Sequence, residues 1–173
     1  MGWYYMGRER GRTDKEFFQG EWSKDIVIHE CATVGNTFYA AVENRRLPGK
    51  VFAAVVLVRR CRGPYNFGYK DMDESMGPSE SRCPARVLAR LTPTDNPIAI
   101  EWRARCRQYI ESRNKVRALK VGDKVTLANS MTFGGGQPSR ELTKVKLPGR
   151  RDVYRTEHGQ YVRFTNLAYY SFS

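Results

Sequence analysis

Residues 51–58 read Val-Phe-Ala-Ala-Val-Val-Leu-Val, the longest apolar run in the chain. A run this short has the length of a strand and falls far below the roughly 18 residues that cross a bilayer. Successive strand side chains point to opposite sides, so a strand that is apolar at every position has to be covered on both faces. Its neighbours are strands too. Ile26–Val34 is followed by Gly35-Asn36, a two-residue hairpin signal, and then by Thr37–Val42. Leu47-Pro48-Gly49-Lys50 marks a second turn before the apolar run. The result is an antiparallel meander of at least three strands, packed under helices.

Three stretches supply those helices. Thr13 or Asp14 caps a short one carrying Phe17, Phe18 and Trp22, and Glu16 stands three residues after Thr13 as in a capping box. Pro84 suits the first position of a second, over Ala85–Leu91. A long third helix runs from Ile98 to about Val116. Its apolar stripe is Ala99, Trp102, Cys106, Tyr109 and Ile110, which leaves Arg103, Arg107, Arg113 and Arg117 solvated. Beyond residue 118, short alternating stretches are cut by Gly134-Gly135-Gly136, by Pro148-Gly149 and by Glu157-His158-Gly159. Short strands with frequent turns close up to hide their edges, which suggests a small SH3-like or OB-like β-barrel segment. The expected class is α+β. Residues 1–117 form an antiparallel sheet packed by two or three helices, and 118–173 form the barrel-like part, unless the two make one compact unit.

The net charge is +12, from 30 Lys and Arg against 18 Asp and Glu, and it is uneven. Residues 1–86 hold 14 basic and 11 acidic side chains; residues 87–173 hold 16 and 7. A surplus of this sign attracts nucleic acid first, then an acidic protein face, then anionic lipid. Residues 1–22 are rich in charge and have no apolar segment of the kind that leads a secreted chain, so a cytoplasmic protein without a membrane role is expected. The four cysteines, Cys31, Cys61, Cys83 and Cys106, make no CxxC pair and read as buried free thiols. No cofactor and no metal site is expected.

Basic residues interleaved with aromatics are the strongest chemical signal. Lys144, Lys146, Arg150, Arg151, Arg155 and Arg163 stand among Tyr154, Tyr161 and Phe164. Strand alternation puts Lys144 and Lys146 on one face with Val145 and Leu147 inward, and puts Tyr161 and Arg163 together opposite Val162 and Phe164. Such a face tracks a phosphate backbone with cations and stacks bases on phenol rings. Arg103 and Arg107 add charge from the long helix. A second candidate is the aromatic and acidic loop Tyr65, Phe67, Tyr69, Asp71, Asp73 and Glu74, with one short strand around Tyr65–Tyr69, whose carboxylates offer oxygens to a cation or to general acid–base chemistry. No phosphate loop or nucleophile elbow is present.

Tyr65-Asn66-Phe67-Gly68-Tyr69-Lys70-Asp71-Met72-Asp73-Glu74, Gly77-Pro78, Cys83-Pro84, Leu91-Thr92-Pro93-Thr94 and Trp102–Cys106 resemble an uncharacterised family of small proteins carried by bacterial mobile elements, plasmids and phages. Met1-Gly2-Trp3 and the Thr37–Val42 strand are similar too, and the resemblance spans most of the chain but weakens after about residue 118. It implies an accessory role in a bacterial cytoplasm and brings no catalytic residue with it. Three functions stay open: a non-enzymatic nucleic-acid-binding protein, an inhibitor of a host defence complex of the anti-CRISPR or anti-restriction type, and a small enzyme using the Tyr65–Glu74 loop.

Overall fold

A computed structural model describes residues 2–7, 12–62, 66–165, 167–170 and 172–173. Among these, the chain forms nine strands and three α-helices, and it divides into two compact units, residues 1–107 and 108–173. No helix among the described residues is long and apolar enough to cross a membrane.

The first unit is built on a five-stranded antiparallel sheet. Its strands are β1 (Tyr4–Met6), β2 (Ile26–Val34), β3 (Thr37–Asn44), β4 (Val51–Arg60) and β5 (Phe67–Asp73), in the order β1-β5-β4-β3-β2. The β2–β3 hairpin closes on Gly35, whose φ of +61° is what a type II′ turn asks of its first central residue. The apolar run is the central strand β4, and it is covered on both sides. Ala54, Val56 and Val58 join Phe38, Ala40 and Val42 of β3 in one core; Ala53 and Val55 join Tyr39 and Ala41 in the other.

Helix α1 (Asp14–Glu21) lies over the first core. Its start is a capping box: the Thr13 hydroxyl accepts from the Glu16 N–H, and the Glu16 carboxylate accepts from the Thr13 N–H at 2.7 Å. Phe17 and Phe18 are buried among Phe38, Phe67 and Tyr69. Each such side chain contributes about 1.5–3 kcal/mol of burial free energy. The helix is only two turns long. It covers one end of the sheet face and leaves the other, at Val42, Phe52, Ala54, Asp71 and Asp73, as an open cleft of about 430 Å³.

The opposite core is closed by α2 (Ala85–Leu88) and α3 (Pro97–Ala118), which contribute Val87, Trp102 and Cys106. Asn96 caps α3, its side-chain oxygen accepting from the Ile98 and Ala99 N–H groups at 2.9 and 3.1 Å, with Pro97 at the first helical position. Pro84 precedes α2 rather than opening it. Two polar groups at this core are paired: Trp102 Nε1 donates to the Glu80 carbonyl at 2.9 Å, and the Tyr39 hydroxyl accepts from the Arg82 N–H at 3.3 Å.

The second unit holds the last turns of α3 and a four-stranded antiparallel sheet, β6 (Lys124–Met131), β7 (Ser139–Leu147), β8 (Arg150–Thr156) and β9 (Tyr161–Arg163), in sequential order. No closed barrel is found among the described residues. The outer edge of β6 meets the chain terminus instead, through a bridge from Leu127 to Phe172 and hydrogen bonds between Thr126 and Ser173. One sheet face packs Val125, Leu127, Leu142, Tyr154 and Val162 against Phe164 and Leu167, with Val116 and Leu119 at the margin.

Candidate functional site

The register of the second sheet decides which side chains share its outer face. Lys124 pairs with Thr143, Thr143 with Arg155, and Arg155 with Tyr161. Partners opposite each other in an antiparallel ladder project from the same face, with Cβ atoms about 4.5–5.5 Å apart. Lys124, Thr143, Arg155 and Tyr161 therefore form one row across all four strands. The core residues Val125, Leu142, Tyr154 and Val162 alternate with them on the inner face. Arg163 stands two residues beyond Tyr161 and so returns to the outer face. Lys124, Arg155 and Arg163 are exposed, and Tyr161 keeps 57% of its surface open to solvent. The row has an acidic end as well, since Glu141 pairs with Thr126 on the same face. The unit as a whole carries twelve basic and five acidic side chains.

Tyr161 with Arg163, opposite Val162 and Phe164, lie as the alternation predicts. Other expected residues are placed differently. Tyr154 is fully buried, because it stands opposite Val162 on the inner face, and burial pushes its phenol up to about 12. Lys144 is on that inner face too, paired with Tyr154. Its stem is half-buried and its ammonium donates to the Leu119 carbonyl at 2.9 Å. Lys146 lies nearer the hairpin end, where β8 carries one extra residue opposite it, and it is exposed while Lys144 is half-buried. Arg107 is exposed, in the first unit. Lys124 was missed, although it begins a strictly alternating Lys-Val-Thr-Leu strand.

Arg103 is not solvated. Its Nη2 and Nε donate to the two oxygens of Glu74 at 2.5 and 2.6 Å, and its Nη1 donates to the Thr92 carbonyl at 2.6 Å. Both side chains are almost wholly buried. Arg103 lies four residues after Ala99 and three before Cys106, so helical spacing puts it on the buried stripe.

The strand expected around Tyr65–Tyr69 runs on through the carboxylates, as Phe67–Asp73. Tyr65 lies outside the described residues. Phe67 and Tyr69 are core residues of β5, Glu74 is taken by Arg103, and Asp73 caps a short turn by accepting from the Ser75 N–H at 2.7 Å. Asp71 and Asp73 line the cleft beside α1, together with Trp22, Ile26, Phe52 and Met76. All four cysteines are free; Cys83 and Cys106 are buried, while Cys31 and Cys61 are half-buried. Burial pushes the Cys83 thiol up and the Cys106 thiol up to about 11.

Next to the basic row, the β7–β8 hairpin forms a second basic feature. Gly149, Arg150, Arg151 and, from β9, Arg163 line a cleft of about 500 Å³. Residues 93–167, which span α3 and the whole second sheet, match the family described as a domain of unknown function (DUF6927). No curated protein and no solved structure matches the chain.

Proposed function

We propose that the protein is a non-enzymatic binding protein that engages single-stranded nucleic acid through the outer face of its second sheet. The observation that carries this reading is the row Lys124–Thr143–Arg155–Tyr161, flanked by Arg163. Arg155 and Arg163 stand beside one exposed ring, and Lys124 extends the row to the far edge of the four-stranded sheet. Cations fix a phosphate backbone, and a phenol face stacks a base without reading its sequence. The exposed phenol face of Tyr161 offers a platform for a base that is not already stacked in a duplex, so an unpaired strand fits it best.

The resemblance of most of the chain, up to about residue 118, to proteins of mobile elements and phages supports an accessory role in such an element. Fluorescence anisotropy on a short single-stranded oligonucleotide tests the reading. Lys124→Glu with Arg155→Glu should abolish binding while leaving the circular dichroism spectrum unchanged. Unchanged affinity would refute the interface. Capture of a host protein complex that survives nuclease treatment would favour the alternative, an inhibitor of a host defence system.

A further inference from the structure

The β7–β8 connection is built to bring arginines together. Leu147 pairs with Arg150 across Pro148-Gly149, with Gly149 at a φ of +65°, as a type II turn with Pro then Gly requires. The next pair is Val145 with Val153, so Lys146 alone faces both Arg151 and Asp152. This is a β-bulge, a device that re-aims side chains. Asp152 takes a left-handed φ of +55°, alone among the described non-glycine residues, at a cost on the order of 1 kcal/mol. Its carbonyl accepts from the Phe164 N–H at 2.9 Å, which ties the bulge to the residue after Arg163. The strained backbone thus holds Arg150 and Arg151 of one strand against Arg163 of the next around a single cleft.

No carboxylate of the described residues pairs with any of the three. Three like charges around one cavity repel, and an anion relieves that repulsion. Guanidinium forks match phosphate oxygens in pairs. A phosphodiester brings one negative charge, whereas a phosphomonoester brings about −1.5 to −2 at neutral pH and answers three cations better. The cleft volume lies within the roughly 300–1,000 Å³ of small-ligand sites, which is room for a nucleotide around its phosphate. Tyr161 stands two residues from Arg163 on the same face, about 7 Å along the strand, within the span of one nucleotide.

We infer that the Arg150–Arg151–Arg163 cleft binds the phosphomonoester of a nucleotide, as found at the end of a nucleic-acid strand, with the attached base against Tyr161. This deepens the proposed function and rests on it for the strand as the source. The test compares short single-stranded oligonucleotides ending in a 5′-phosphate, a 3′-phosphate or hydroxyls only, alongside free deoxyadenosine 5′-monophosphate. Anisotropy reads the strands, and arginine Nε–H resonances read the nucleotide.

One phosphorylated end should bind tighter than the hydroxyl-ended strand on the order of tenfold, the equivalent of one or two charge-assisted contacts. The preference should fade as pH falls through about 6, where the monoester loses its second charge while the arginines keep theirs. Arg150→Gln with Arg151→Gln should erase the preference, while the hydroxyl-ended strand still binds more weakly through Lys124, Arg155 and Arg163, with a log–log salt slope of about −2. Equal affinity for phosphate and hydroxyl ends, with no arginine shift on the nucleotide, overturns the inference and leaves the nucleic-acid reading standing. Arginine shifts on the nucleotide without binding of any strand keep the phosphomonoester site and overturn that reading. No binding of strand or nucleotide overturns both.

Discussion

Replacing Arg103 by Met leaves Glu74 as an uncompensated carboxylate inside the first unit. The two side chains are 8% and 3% exposed, and both Glu74 oxygens are held by the guanidinium. The same change frees the Thr92 carbonyl from Nη1. Breaking one side of a buried pair costs about 3–5 kcal/mol, whereas an exposed pair is worth no more than about 1 kcal/mol. Arg46→Met, which removes the exposed partner of Asp25, is the matching control. All three tryptophans, Trp3, Trp22 and Trp102, lie in residues 1–107, so their emission during urea unfolding reads the first unit alone. A loss of this size moves the midpoint on the order of 2 M for the slopes of small domains. Glu74→Met together with Arg103→Met should recover most of the loss, because an apolar pair of similar volume carries no desolvation penalty. An Arg103→Met chain within 1 kcal/mol of the parent, or a double variant weaker than the single one, would refute the reasoning.

Other outcomes follow from individual side chains. Tyr154 Oη is buried without a protein partner among the described residues, so Tyr154→Phe should be neutral or stabilising in thermal unfolding, while Tyr154→Ala should cost about 3–5 kcal/mol. Tyr161→Ala should weaken oligonucleotide binding by the roughly 1–3 kcal/mol of one stacked base without changing the melting temperature, and Tyr161→Phe should keep the affinity. With burial raising both thiols, Cys83 and Cys106 should resist alkylation at pH 8 and react only in urea, read by mass spectrometry. Glu16 is held below the ordinary carboxylate range by the Thr13 N–H and hydroxyl. Its contribution to stability is present above the unfolded value and is lost as pH falls through the lowered one, so the gap in melting temperature between the parent and Glu16→Gln should close in acid.

The first sheet was legible because its signals are local. The apolar run demanded two covered faces, Gly35-Asn36 marked the hairpin, and Thr13 with Glu16 marked the start of α1. Only the start of the strand Phe67–Asp73 was legible, because its alternation mixes core rings with carboxylates that line a cleft. One of its partners, Tyr4–Met6, is distant in the chain, while the other, Val51–Arg60, immediately precedes it. Arg103 was misplaced because charge argued for solvent while spacing argued for the core, and its partner Glu74 lies 29 residues away. In the second sheet, Tyr161 and Arg163 could be placed from alternation alone. The bulge at Asp152 could not, since nothing in Gly-Arg-Arg-Asp announces that one residue will oppose two, and that bulge decides which lysines and arginines share a face.

The central claim is that cations on one sheet face and its adjoining cleft neutralise the phosphates of an unpaired strand. The most direct measurement is the dependence of oligonucleotide affinity on salt. Lys124, Arg150, Arg151, Arg155 and Arg163 provide five contacts, and a single strand releases about 0.7 counterion for each, which gives a log–log slope of about −3.5 and a loss of about 100-fold between 50 and 200 mM salt. Lys124→Gln with Arg155→Gln should reduce that slope to about −2. An affinity that does not change with salt, or a slope that the double variant leaves intact, would contradict the account.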